Sequence, residues 1–397
     1  MKRFTTIALA AALLLALFAL PACNGTTAEP TPHTWVFVHG LNGHGEDSAI
    51  PVPYWGGTAG DLLAELREEG FVIHAPTVSP SGSARDRAAE LFAQLTGTQV
   101  DYGAAHAQRH EMERFGSLYD TPMLPGWGVE DENGNLQRVN LVGHSFGGNT
   151  IRMLAGLLQF GCAEERAHAG ATGEEISPLF VGGKANWVHS ITTIATPHNG
   201  VSLMAMLDAD PLLAAVAQAL PQSQIDQAMR ALGINIPGVS NFVEFLQESE
   251  NANNAFADLT LSGAQLVNAR TMPSHHTFYF SFAVDGTDNG RPVAEDMNIA
   301  SRLLATQIGN FTHPASGITA AWRANDGLVN TISATRPFNQ PHSPVFNPDN
   351  PQISPGQWTV MPIVRGDHGS VIGLGRTMDD ILPGYLAHMR MVDGLVA

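Results

Sequence analysis

Residues 138–149, RVNLVGHSFGGN, constrain the fold of this 397-residue chain more than any other stretch. An apolar, β-branched run at 139–142 leads straight into Gly143-His144-Ser145-Phe146-Gly147. Beyond it, Ile151, Met153, Leu154, Leu157 and Leu158 recur at helical spacing. The pattern predicts a strand that turns sharply into a helix, with Ser145 at the apex. Glycines two positions either side leave room where backbone segments crowd, and they accept strained dihedrals. A serine so placed stands clear of its neighbours, and the N-terminus of the following helix favours negative charge beside it.

Further strands are read at 35–38, 71–74, 187–195, 277–282 and 358–364, and helices at 60–69, 87–95 and 378–391. This alternation predicts a mostly parallel sheet covered by helices on both faces. Residues 201–265 interrupt it with helix-like apolar spacing and no strands, as in Leu203, Met206, Leu207, then Leu212, Leu213, Val216. They read as a helical cap inserted between core strands or, on pattern alone, as extra packing layers. The Pro- and Asn-rich stretch 338–356 reads as an irregular surface loop.

Lys2 and Arg3 precede an apolar run at 7–20, too short to span a bilayer comfortably and suited to an export signal. Leu20-Pro21-Ala22-Cys23 resembles a lipobox. Residues 1–22 are therefore read as a signal cleaved before Cys23, 23–33 as a tether and 34–397 as the folded part. Membrane attachment would come through a lipidated Cys23, with simple cleavage after Ala28 as the alternative. Cys162 is then left without a partner, and the fold cannot depend on a disulfide. The 37 acidic and 20 basic residues give a net charge of −17, which argues against a nucleic-acid partner. Lysine occurs only at Lys2 and Lys184, leaving little scope for lysine-based covalent chemistry.

A serine hydroxyl needs a base to take its proton and a third group to orient that base. In a sheet of this kind the chain order is nucleophile, acid, histidine. His368, after the strand read at 358–364 and before the closing helix, is the expected base among 16 histidines. Asp326 in Asn325-Asp326-Gly327 is the expected acid, with Asp285, Asp288 and Asp367 as competitors. Oxyanion stabilisation calls for two backbone N–H donors, expected from Phe146 and from Leu41 in the glycine-rich loop after the first strand. That loop lacks a following Lys-Ser/Thr and any GxGxxG, so a nucleotide site has little support.

Several short runs keep a matched order: Tyr54-Trp55-Gly56-Gly57, DYGAAH at 101–106, Gly143 to Gly148, SPLF at 177–180, TTIATPH at 192–198, LSGA at 261–264 and Asn325-Asp326-Gly327. Together they make the chain similar to bacterial triacylglycerol lipases of the staphylococcal and thermophilic Bacillus-type group (family I.5), from about Trp35 to the C-terminus. The resemblance implies an α/β-hydrolase fold with a cap, the triad Ser145, Asp326 and His368, and oxyanion amides at Leu41 and Phe146. It also implies a structural zinc ion (Zn2+) at Asp86, His106 and Asp258, with Met112 where the group has histidine. A thioether is a weak zinc ligand, so His110, Glu111 or water would have to complete the shell. The group's calcium (Ca2+) ligands correspond to Ser370 and Gly375, neither a carboxylate, so calcium is not expected.

The resulting expectation is an exported serine ester hydrolase acting on acylglycerols or small esters at a lipid–water interface, with the cap opening there. Short-chain esterase, polyester depolymerase and peptidase activities would use the same machinery. A catalytically silent envelope lipoprotein is the non-enzymatic alternative.

Overall fold

In the computed structural model, which describes residues 33–209 and 253–396, six parallel strands form one central sheet. In chain order they are β1 (Thr34–Val38), β2 (Ile73–His74), β3 (Val139–His144), β4 (Val188–Ile194), β5 (Phe278–Phe282) and β6 (Trp358–Val360). Their spatial order is β6-β5-β4-β3-β1-β2, and β1 runs beside β3 with Thr34 opposite Val139 and Val38 opposite Gly143. The main helices are α1 (Leu62–Glu68), α2 (Ala84–Thr96), α3 (Ala104–Arg109), α4 (Phe146–Phe160), α5 (Ala163–Thr172), α6 (Ser202–Ala209), α7 (Ala255–Leu259), α8 (Leu261–Arg270), α9 (Ile299–Asn310) and α10 (Met378–Asp393).

Period-two alternation on β1 divides the core into two layers. Val36 and Val38 join Ala88, Leu91 and Leu95 of α2 and Ile151, Leu154 and Leu158 of α4. Trp35 and Phe37 join Leu62 and Leu66 of α1 and Ile381, Met389 and Val392 of α10 on the opposite face. Both faces of β1 are fully buried, each large apolar side chain contributing about 1.5–3 kcal/mol relative to exposure. Helix ends follow local chemistry. Ser83 accepts the Asp86 N–H to start α2, and Gly97, at φ 67°, ends it in the left-handed region. Thr377 and Asp380 form a reciprocal capping box that starts α10.

The run read as one strand at 358–364 is split. Pro362 has no N–H to continue a ladder, so β6 stops at Val360, and Val364–Arg365 pairs separately with Val284–Asp285. Residues 338–356 form an irregular loop, as their composition predicts. Residues 1–32, which hold the expected signal and most of the tether, lie outside the described residues. So do 210–252, the larger part of the expected cap. Among the described residues no helix is long and apolar enough to cross a membrane.

Strand order reverses direction at β1, which leads to β2 on one side and β3 on the other. In a parallel sheet such a switch opens a crevice at the carboxyl ends of the two strands. The loop after β1 and the turn after β3 meet there.

Candidate active site

Ser145 occupies the turn between β3 and α4 at φ 55°, ψ −131°, a strained conformation for a residue with a Cβ. The turn is held because its neighbours are glycines. A Cβ on Gly147 would lie 2.1 Å from the Val38 carbonyl oxygen, and one on Gly143 2.5 Å from the Gly147 carbonyl carbon. The Ser145 N–H donates to the Ile194 carbonyl of β4 at 2.8 Å, tying the turn to the sheet.

His368 Nε2 lies 2.9 Å from Ser145 Oγ, and His368 Nδ1 lies 2.7 Å from Asp326 Oδ2. A carboxylate can only accept, so Nδ1 carries the proton and Nε2 is free to take one from the serine. Asp326 is fully buried, and its other oxygen accepts the Leu328 and Val329 N–H groups at 3.0 and 2.7 Å. The His368 backbone N–H also donates to the Asp326 carbonyl at 2.9 Å. Burial disfavours the imidazolium, but the Asp326 carboxylate, with Asp367 behind it, outweighs this and holds the His368 pKa above the ordinary histidine value.

The competing acids are committed elsewhere. Asp285 accepts the Thr287 N–H and hydroxyl, Asp288 belongs to an exposed hairpin, and Asp367 accepts the Gly369 N–H. Asp326 does not directly follow β5. It returns to the site after an excursion that includes α9, which sequence order alone did not show.

Leu41 and Phe146 both lie at the switch point. A Cβ on Gly40 would be 2.7 Å from Ser145 Cβ, so the β1 loop runs directly against Ser145. The Gly40 carbonyl accepts from His39 Nδ1 at 2.8 Å and from Arg87 at 3.4 Å. Because C=O and N–H of one trans peptide point opposite ways, this directs the Leu41 N–H away from Arg87. Phe146 opens α4, where the first amides have no intrahelical acceptor. Among the described residues neither amide has a hydrogen-bond acceptor.

The residues implied for zinc hydrogen-bond to one another and to neighbouring groups. His106 Nε2 and Asp86 Oδ1 bond directly at 2.9 Å, and Asp86 Oδ2 accepts from the Asn253 amide at 2.5 Å. The same amide lies 3.4 Å from Met112 Sδ, while Asp258 Oδ2 accepts the Ala84 N–H at 2.7 Å. His110 packs against His106 with ring centroids 4.5 Å apart and planes tilted by 57°. Among the described residues no three His, Cys, Asp or Glu side chains are grouped so as to hold a metal ion. At these positions two of the implied donors bond to each other, and the fourth presents a thioether, a weak zinc ligand. At the positions implied for calcium, Ser370 bonds to the Asp367 backbone, and the Gly375 N–H donates to Thr58. Neither supplies a carboxylate.

Sequence reasoning gave Tyr54, Arg87, His144 and Asn253 no role. Tyr54 and His144 stood in the conspicuous runs, but their mutual contact was not readable from spacing.

The sheet, the switch point and the serine–histidine–aspartate contact define an α/β-hydrolase with a nucleophile elbow. Residues 32–382 match the family model described as the lipase-like, C-terminal domain, and the chain belongs to that family. It is 37% identical over 355 residues to Lipase 2 of Staphylococcus aureus, covering 85% of this chain and 50% of that protein. Lipase 1 of Staphylococcus aureus strain Mu50 is 33% identical over 356 residues, with the same coverage. The chain thus spans about half the length of these curated relatives. Among solved structures, Staphylococcus hyicus lipase superposes with a TM-score of 0.74 at 29% identity, covering 94% of this chain and 98% of that one. Lipase 1 from Pelosinus fermentans gives 0.73 at 31% identity, covering 92% and 99%.

Proposed function

We propose that this chain is an exported hydrolase of carboxylic esters, acylglycerols above all, working through an acyl-enzyme on Ser145. The observation that carries this reading is the continuous Ser145–His368–Asp326 contact beside two unengaged amides. In the proposed reaction, His368 Nε2 takes the Ser145 proton as Oγ attacks the ester carbonyl. The Leu41 and Phe146 N–H groups receive the oxyanion, and Asp326 steadies the imidazolium. Protonated His368 then gives its proton to the leaving alcohol, and water reverses the sequence on the acyl-enzyme. The lipid-ester substrate class is supported by the lipases among the relatives, and export by the N-terminal pattern.

Hydrolysis of p-nitrophenyl esters and triglyceride by the protein and by Ser145→Ala tests the reading. Turnover that survives Ser145→Ala would remove Ser145 from its role. A folded wild-type protein that a fluorophosphonate does not label would favour the silent lipoprotein, and acyl-chain profiling separates lipase from short-chain esterase.

A further inference from the structure

Between the oxyanion loop and the proposed base lies a buried polar chain that the reaction above does not use. The Gly40 N–H donates to Tyr54 Oη at 2.8 Å, and Tyr54 Oη lies 2.6 Å from His144 Nδ1. His144 Nε2 lies 2.9 Å from the His368 carbonyl oxygen. Every direction in this chain is determined. A carbonyl only accepts, so His144 Nε2 carries the proton and Nδ1 presents its lone pair. Tyr54 must then donate its hydroxyl proton to Nδ1, leaving an oxygen lone pair for the Gly40 N–H.

We infer that Tyr54 and His144 are positioning residues, joined in one hydrogen-bonded relay that locks the oxyanion loop to the backbone of His368. This inference rests on the catalytic reading of Ser145 and His368. One end of the relay fixes the amide preceding the Gly40–Leu41 peptide, whose carbonyl is already held by His39 and Arg87. The other end fixes the His368 carbonyl, while Asp326 fixes the His368 N–H. Both groups that must meet developing charge thus hang on the residue next to the nucleophile. His144 is buried, its ring centroid 4.9 Å from that of His368, and burial, with His368 close by, holds its pKa well below the ordinary value. It therefore stays neutral beside the imidazolium that forms on His368. Burial likewise raises the Tyr54 phenol, keeping it protonated as a donor. Glycine at 43 is required for this packing, since a Cβ there would lie 2.5 Å from the Tyr54 ring.

Tyr54→Phe removes one oxygen and breaks both links of the hydroxyl. A loosened oxyanion loop is expected to lower kcat on p-nitrophenyl butyrate about 10- to 100-fold, with KM within about twofold. Affinity for a trifluoromethyl ketone, which mimics the tetrahedral oxyanion, should fall with kcat. His144→Phe should act alike, and the double variant should fall no further than the worse single one, because both break one chain. A folded Tyr54→Phe within about threefold of wild type in kcat and ketone affinity overturns the inference, as does a multiplicative double variant. Spectra of the 15N-histidine wild-type protein give a reading that needs no variant: the relay requires a neutral Nε2–H tautomer for His144 across the active pH range. An Nδ1–H tautomer sinks it. Inactive Ser145→Ala with an unaffected Tyr54→Phe removes the relay alone, whereas active Ser145→Ala removes the catalytic reading beneath it.

Discussion

At φ 55°, Ser145 holds a backbone conformation that serine avoids, and everything at residue scale depends on surroundings that enforce it. Ser145→Ala and His368→Ala are expected to lose nearly all ester turnover while melting as wild type does. The pH dependence follows from the environment of His368. Only neutral imidazole can accept the serine proton, so kcat/KM should rise with pH through the His368 pKa, which lies above the ordinary 6.5. Burial alone would lower that pKa; the neighbouring carboxylates raise it. Asp326→Asn removes the larger of them, so the acidic limb should move to lower pH while the plateau falls by about 10⁴. A limb that stays in place would argue against Asp326 as the orienting acid. Ser145 and His368 were legible because a motif and chain order mark them. Tyr54 and His144 were not, because their contact joins residues 90 positions apart, and His144 meets the His368 carbonyl across 224.

Elements meet at contacts whose tolerance depends on what stands opposite. Gly147 faces the Val38 carbonyl at a distance no Cβ can share, so Gly147→Ala should cost about 3 kcal/mol or more, or abolish folding. Gly384, inside the exposed face of α10, has open space in the direction of a Cβ. Gly384→Ala should instead stabilise by about 0.5–1 kcal/mol, and paired thermal melts of the two variants test the contrast. The link among α2, α3 and α7 is a second case. Asp86, His106 and Asn253 close on one another by hydrogen bonds. Chelator dialysis is therefore expected to leave the melting temperature unchanged, with metal content well below one equivalent. Met112→His, which restores a fourth strong donor, is the variant in which added zinc should raise it. Stoichiometric zinc in the wild-type protein, with a fall in melting temperature on its removal, would overturn this. The central strands and helices α1, α2, α4 and α10 were readable from periodicity; α3, α5 and α9 were not, nor was the end of β6, because Pro362 sits in an otherwise apolar run.

The whole molecule carries a net charge of −17, which on the proposed reading makes its action on a lipid surface depend on the charge of that surface. Repulsion from anionic lipid should slow adsorption, and salt should relieve it by screening. Hydrolysis of a tributyrin emulsion doped with anionic lipid is expected to be slower than that of a neutral one and to recover at high ionic strength. Equal rates at low salt would show that the adsorbing face is not governed by net charge.

Local pattern alone determined the strand–serine–helix turn and the parallel sheet with helices on both faces, and it singled out Ser145, His368 and Asp326 as candidates, because these depend on periodicity, glycine placement and chain order. Only the tertiary structure decided that Asp326 rather than its rivals meets His368, that Asp86 and His106 bond to each other, and that Tyr54 reaches both Gly40 and His144. The physical reason is distance. Hydrogen bonds require approach within about 3 Å, and segments this far apart in the chain come that close only once the sheet has brought its strand ends together.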